Sequence, residues 1–394
     1  MRRFWKDLGG LYAANGLVGF IFAATGPVAI VLAVGARGGL SESDLASWLF
    51  GSFFLHGLLS IAFCLRYRQP LVFFWTIPGT VLIGPALEHL SFAEVIGAYI
   101  ATGVLMFLLG MTGWVRRTMQ AAPMPIVMAM VAGVFLRFGL DIVFSLRDAF
   151  PIAAPMVLVF LLLSAWKAGG KVMPPVIGAM LAGAVAVVFA GSFEVKGDAL
   201  FAIAPPTLYA PAFSWRAMIE LVVPLAITVL VVQNGQGFAV LNAAGHKPPL
   251  DAIAMACGAW SVLVAFVGTV STCLTGPVNA ILCSAGEKER HYTGGVVVGL
   301  IALVFGLMSP VFTRLLLATP KAFIATLAGL AMLRVLQGAF ATAFSGKFAL
   351  GALVTFLVTV ADVPVFNVGA AFWGLVFGVG VSWLLERQDF RAAA

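Results

Sequence analysis

Three amide side chains, Gln233, Asn234 and Gln236, fall within four residues of one another in the apolar run VVQNGQGFAVL. Each offers donors and an acceptor without carrying charge, so together they can orient a polar ligand. In hydrocarbon such groups are costly unless they meet a partner, and hydrogen bonding between helices is the plainer use for them. Hydroxyl and amide groups recur in two more apolar stretches beside proline and glycine: Thr76 and Thr80 in FWTIPGT, Thr275 and Asn279 in TCLTGPVNA. Thr25-Gly26-Pro27 interrupts one further apolar block, and Gln233-Asn234-Gly235-Gln236-Gly237 is expected to interrupt its own. No HExxH, nucleophile elbow or pair of intramembrane carboxylates accompanies them, which argues against an enzyme. Gly235-Gln236-Gly237 lacks the third glycine and the strand-turn-helix setting of a dinucleotide fingerprint. What remains is the chemistry of a binding site.

The elements that carry these residues must lie in a bilayer. The 394-residue chain is 62% hydrophobic and 10% charged, with a mean hydropathy of +1.06. That composition belongs to an all-α polytopic membrane protein. The amino-terminal MRRFWKD has the basic flank of a signal peptide, but the apolar block behind it, Leu8 to Ala36, is too long for a cleaved one and reads as a first span. The net charge of +7 is spread over loops without aromatic interleaving. It therefore points to lipid head groups and away from nucleic acid. Cys64, Cys257, Cys273 and Cys283 lie in or at the ends of apolar blocks without metal-ligand spacing, so buried free thiols are expected, with no metal and no cofactor.

Apolar blocks occupy 10–36, 43–64, 71–87, 91–113, 122–145, 151–168 and 173–191. A polar connection, 192–216, holds Glu194, Lys196, Asp198 and Pro205-Pro206, and blocks follow at 217–243, 251–269, 272–286, 291–312, 316–343, 347–363 and 366–385. This gives about fourteen transmembrane segments, of which the third and tenth are short and broken. With the amino terminus inside, alternate connections carry Arg66, Arg68, Arg116, Arg117, Lys167, Lys171, Lys247, Lys288, Arg290 and Lys347. Adding the termini places about 15 of the 23 basic residues on the cytoplasmic side. Both termini are then cytoplasmic.

The halves echo one another. Ile177-Gly178-Ala179 with Gly183 matches Val368-Gly369-Ala370 with Gly374, and Pro125, Ala132-Gly133 and Arg137 match Pro320, Ala328-Gly329 and Arg334. The broken third block, FFWTIPGTVLIGPAL, matches the tenth, TCLTGPVNAILCSAG. An odd number of segments per copy turns the second copy over, so 1–191 and 217–394 read as two inverted seven-segment repeats. In each broken block a short extended lead, Phe73 to Ile77 or Thr272 to Leu274, runs into a half-helix opening near Pro78-Gly79 or Gly276-Pro277. Two such amino-terminal ends are expected to face one another near the bilayer midplane and form an anion pocket without a fixed cation.

FWTIPGT, Phe74 to Thr80, resembles the Trp-Ser-Thr-Pro-Gly segment of the benzoate/proton symporter (BenE) family. QNGQGFAVLNAAGHKPP, Gln233 to Pro249, is similar to that family's Gln-Asn segment followed by Gly, Ala-Val-Leu, Ala-x-Gly and Pro-Pro. Gly276-Pro277-Val278-Asn279-Ala280 is similar to its Gly-rich segment ending in Asn. The likeness covers most of the chain. It implies the seven-plus-seven inverted fold of nucleobase and sulfate/bicarbonate carriers. A core (10–113 plus 217–312) would hold the substrate, and a gate (122–191 plus 316–385) would form a homodimer. It also implies elevator-type transport of benzoate or a related aromatic carboxylate with a proton, in the bacterial inner membrane. A uniporter or exchanger of another small anion is the alternative.

On this reading the substrate meets Thr25, Gly26, Thr76, Pro78, Gly79, Thr80, Gln233, Asn234, Gln236, Phe238, Thr275, Gly276, Pro277 and Asn279. Phe20 joins Phe238 as a candidate ring contact. His56, the only histidine well inside a span, is the candidate for proton coupling, although a core histidine bonded to a neighbour is the commoner role. Glu220 and Asp362 sit at span ends as water-accessible boundary charges. Arg137 and Arg334 snorkel, Arg137 beside Asp141 one turn on; attraction of substrate is the sharper alternative for both.

Overall fold

Apolar chain in lipid pairs its backbone most simply as α-helix, and most of this protein does so. The computed structural model describes residues 2–115, 117, 123–166, 173–193, 206–284, 286–363, 365 and 370–391. Arg116, Lys167, Lys171, Glu194, Lys196, Asp198, Pro205, Val368 and Gly369 lie outside the described residues. In chain order the principal helices are α1 (Gly10–Arg37), α2 (Glu42–Tyr67), α3 (Ile77–Ala86), α4 (Phe92–Met111), α5 (Met124–Asp148), α6 (Phe150–Ala165) and α7 (Pro175–Phe189). Then come α8 (Trp215–Ala243), α9 (Leu250–Ala265), α10 (Gly276–Leu282), α11 (Lys288–Leu307), α12 (Lys321–Ala343), α13 (Ala349–Ala361) and α14 (Ala370–Leu385). Among the described residues seven helices, α1, α2, α4, α5, α8, α11 and α12, are long and apolar enough to cross a membrane by length and composition.

Proline and glycine decide where helix gives way. Pro27 offers no N–H to the preceding turn, and α1 bends at Thr25, whose hydroxyl donates to the carbonyls of Ile21 at 3.0 Å and Phe22 at 3.2 Å. The Gln-Asn-Gly-Gln-Gly run does not interrupt α8. The chain stays helical through it, with widened π-helical turns at Met218–Val222 and Thr228–Gln233. A π turn shifts the helix face by one residue, and such turns gather at functional positions.

The third and tenth blocks do break, as their sequences require. β1 (Phe73–Trp75) leads into α3 and β2 (Thr272–Leu274) leads into α10. The two strands pair antiparallel, with Phe73 opposite Leu274, Phe74 opposite Cys273 and Trp75 opposite Thr272. This ribbon departs from a wholly helical expectation. Its outward-facing backbone groups are met by side chains: the Ser60 hydroxyl accepts from Phe73 N–H at 2.9 Å, Ser261 from Thr272 N–H at 2.9 Å, Asn279 Oδ1 from Val72 N–H at 3.1 Å and Asn234 Oδ1 from Leu274 N–H at 2.7 Å.

Around the ribbon, α2 packs on α11 and α4 on α9; away from it α6 packs on α7 and α13 on α14, while α5 and α12 pack on each other. Glycines let backbones meet at these crossings. A Cβ on Gly258 of α9 would stand 2.3 Å from the amide nitrogen of Phe107 in α4, and one on Gly57 of α2 would stand 2.9 Å from the carbonyl of Gly299 in α11. Gly258→Ala is expected to lower stability by about 1–3 kcal/mol through overpacking against backbone. Gly380→Ala, in α14 with nothing within 4 Å of the new methyl, is expected to be neutral or stabilising. Thermal unfolding of the two variants in detergent checks the contrast.

Candidate functional site

Both half-helices begin beside the ribbon. Thr76 N–H bonds Ser271 O at 2.9 Å and Thr275 N–H bonds Val72 O at 3.1 Å, so each helix start is pinned to the opposite strand. Because the strands are antiparallel, the starts flank the ribbon at opposite ends. Four residue steps along the ribbon separate Thr76 from Thr275, roughly 13 Å. The two starts also differ in strength. At α3 the Thr76 hydroxyl already accepts from Gly79 N–H at 3.2 Å and Pro78 has no N–H. At α10, only seven residues long, Thr275 provides no such cap, so Gly276 and Val278 keep N–H groups with no intrahelical acceptor.

A cavity of about 1340 Å³ lies between the ribbon and the α5–α12 pair. Its near wall comes from the bend of α1, the β1–β2 ribbon, the starts of α3 and α10, and α8 from the end of its second π turn onward; its far wall comes from α5, α6, α7 and α12. Of the residues singled out from sequence, Thr25, Gly26, Pro78, Gln233, Gln236, Thr275 and Pro277 line it. Gln236 lies across the start of α10: a Cβ on Gly276 would fall 2.5 Å from its Cγ, so the glycine makes room for the amide.

The remaining candidates do not line this cavity. Thr76, Gly79 and Thr80 are buried in the first turn of α3, where Thr76 caps and the Thr80 hydroxyl donates to Thr76 O at 2.9 Å. Asn234 and Asn279 turn away to hold the strands. Phe238 packs in a separate buried cluster with Leu230, Leu241 and Leu274, and Phe20 stacks edge-on with Phe53 and Phe305. The rings that reach the cavity are Phe22, Phe74, Trp75, Phe135 and Phe160. Sequence could not choose among them, since Phe20 and Phe22 differ only in helix phase.

His56 is fully buried between elements. Its Nδ1 lies 2.8 Å from Gly51 O, a group that can only accept, so Nδ1 carries the proton and Nε2, 3.0 Å from Thr272 Oγ1, accepts from that hydroxyl. The imidazole thus braces β2 from α2. Glu220 is not a water-exposed boundary charge: it is 5% exposed and its Oε2 meets His89 Nε2 at 2.9 Å. Asp362 is exposed, as expected. Asp141 is reached by Arg37 of α1 at 3.9 Å, an ion pair between elements. Arg334 of α12 is the one charged side chain among the described residues that line the cavity; it also lines an adjoining pocket of about 470 Å³ and donates to Gln337 Oε1 at 3.0 Å.

Helices around a short antiparallel ribbon, with a cavity at two helix starts, define a polytopic membrane protein whose fold recurs in solved structures. The transmembrane domain of a cyanobacterium bicarbonate transporter, BicA, superposes with a TM-score of 0.64 at 14% identity, covering 95% of this chain and 99% of that one. SLC26A9 superposes with a TM-score of 0.66 at 17% identity, covering 94% of this chain and 64% of that one. The profile of the BenE family, described as benzoate membrane transport protein, matches residues 11–384, and the chain belongs to that family of transport proteins. The inner membrane protein YdcO of Escherichia coli is 31% identical over 379 residues, 94% of this chain and 95% of that protein. The benzoate membrane transport protein of Acinetobacter baylyi is 27% identical over 380 residues, 94% of each.

The division between strand-holding and cavity-lining amides is testable. Asn234→Ala leaves the Leu274 N–H without its acceptor in a water-free site and is expected to cost about 1–3 kcal/mol. Gln236→Ala, exposed in the cavity, is expected to stay within about 0.5 kcal/mol of the parent. Thermal melts in detergent read both; equal losses would refute the division.

Proposed function

We propose that this protein carries a small organic anion, benzoate or a related aromatic carboxylate, with a proton across the bacterial inner membrane. The observation that carries the reading is the cavity itself: five aromatic rings, the amides Gln233 and Gln236, two half-helix starts and the guanidinium of Arg334. Rings suit an aromatic body and the donors suit a carboxylate. Family membership supports the same substrate class.

The fold is read as fourteen segments in two inverted sets of seven. Packing supports this, because α2 on α11 becomes α9 on α4, and α6 on α7 becomes α13 on α14, when each segment is exchanged with the one seven places away. Residues 10–113 and 217–312 then form a core that moves against a gate, 122–191 and 316–385, in an elevator-type step, with the gate helices forming a homodimer. By the basic-residue rule the side bearing Arg117, Lys247 and Lys347 is cytoplasmic. The cavity reaches the surface through exposed Gly338 and Arg334 on the half of α12 nearer that side, which supports an inward-facing state.

A second reading, uniport or exchange of another small anion, draws on one observation. Among the described residues that line the cavity there is no Asp, Glu or His. Proton coupling would then run through His56 behind β2, or on the acid itself.

Labelled benzoate uptake into proteoliposomes under an inward proton gradient tests the proposal. Gradient-dependent uptake is expected; uptake indifferent to pH but raised by a trapped counter-anion would establish exchange. Arg334→Gln is expected to raise KM about tenfold or more, the loss of one charge-assisted contact, with melting unchanged.

A further inference from the structure

We propose that His246, Cys283 and His291 form a binding site for a divalent transition-metal ion of the zinc class. Their ligand atoms all lie within 4.8 Å of one another, and His246 Nε2 stands 3.2 Å from His291 Nδ1. Two nitrogens of a tetrahedral zinc site, with bonds of about 2.0–2.1 Å, stand roughly 3.3 Å apart. Imidazole and thiolate together suit zinc and its neighbours rather than magnesium or calcium. The fourth position of the tetrahedron would be taken by water.

Each ligand is fixed by a helix end. α8 closes with Gly245 at φ +76°, its N–H on Asn242 O at 2.9 Å and the His246 N–H on Leu241 O at 2.9 Å, which holds His246 in place. Cys283 caps α10, its N–H on Asn279 O at 3.0 Å. His291 opens the α-helical part of α11, packed beside Tyr12. Both histidines are 4% exposed, and Cys283 is half-buried. The positions are 37 and 8 residues apart in sequence, far from any ligand spacing readable along the chain.

An ion here would tie the far end of α10, whose start lines the cavity, to the ends of α8 and α11. On binding, the Cys283 thiol gives its proton to solvent and the thiolate bonds the metal, so affinity rises with pH.

The test uses the full-length protein in detergent, its purification tag removed, titrated with Co²⁺. Saturation at one ion per chain is expected, with tetrahedral d–d absorption and a thiolate-to-cobalt charge-transfer band, both displaced by Zn²⁺. Cys283→Ser is expected to abolish the charge-transfer band, and His246→Gln to weaken binding by about tenfold or more. Cys273→Ser, removing a thiol outside the cluster, is expected to leave the band intact. Absence of a saturable tetrahedral spectrum in the parent protein, or a band that survives Cys283→Ser, would overturn the site. So would unchanged affinity in His246→Gln.

Discussion

The structure depends on how extended chain is kept at membrane depth, where no water can pair its backbone. Six residues of strand, three in each half, solve this by pairing with one another and then drawing the leftover N–H groups onto Ser60, Ser261, Asn234 and Asn279. An unpaired amide there costs about 1–3 kcal/mol, so each of these small side chains is fixed by the need of a particular backbone group. The half-helices follow from the strands. A chain already extended and pinned at Thr76 or Thr275 can begin a helix only there, with proline in the first turn to spare a donor.

The same bonds tie the ribbon to one group of helices. Those holding the ribbon come from α2, α8, α9 and α10, with His56 of α2 adding a brace on Thr272. Among the described residues none comes from α5, α6, α7, α12, α13 or α14. Where the ribbon's group of helices meets α12, contact is close but apolar: a Cβ on Gly26 would lie 2.2 Å from that of Ala331. The cavity lies along that boundary.

Sequence made the breaks legible and left the facing hidden. Pro78-Gly79, Gly276-Pro277 and Thr25-Gly26-Pro27 mark backbone that cannot continue as regular helix, and the chain departs from regular helix at each. The amide cluster at Gln233 to Gln236 was legible as costly, but which amide would serve the fold was not, because a π turn rephases α8 just before it. In a soluble helix, polar residues mark the outer face. Here lipid-facing and core-facing positions are both apolar, so nothing in the pattern distinguishes Phe20 from Phe22. Glu220 misled for a related reason: a carboxylate near a span end reads as wetted, and its burial against His89 depends on a residue from another segment.

The electrostatics of the cavity explain why so little charge is placed in it. Had both half-helix starts kept every donor free and converged on one point, they would hold an anion too firmly to release it. Instead Thr76 occupies one N–H of α3, Pro78 and Pro277 remove others, and the ribbon holds the two ends apart. The remaining donors are weak and distributed, on Thr275, Gln233, Gln236 and the first turn of α10. The full positive charge, Arg334, belongs to α12 on the opposite wall. In the proposed cycle, movement of the core carries the ligand away from that charge. Attraction is then strongest when the cavity is open and fades as the core travels, so capture and release follow from the same displacement.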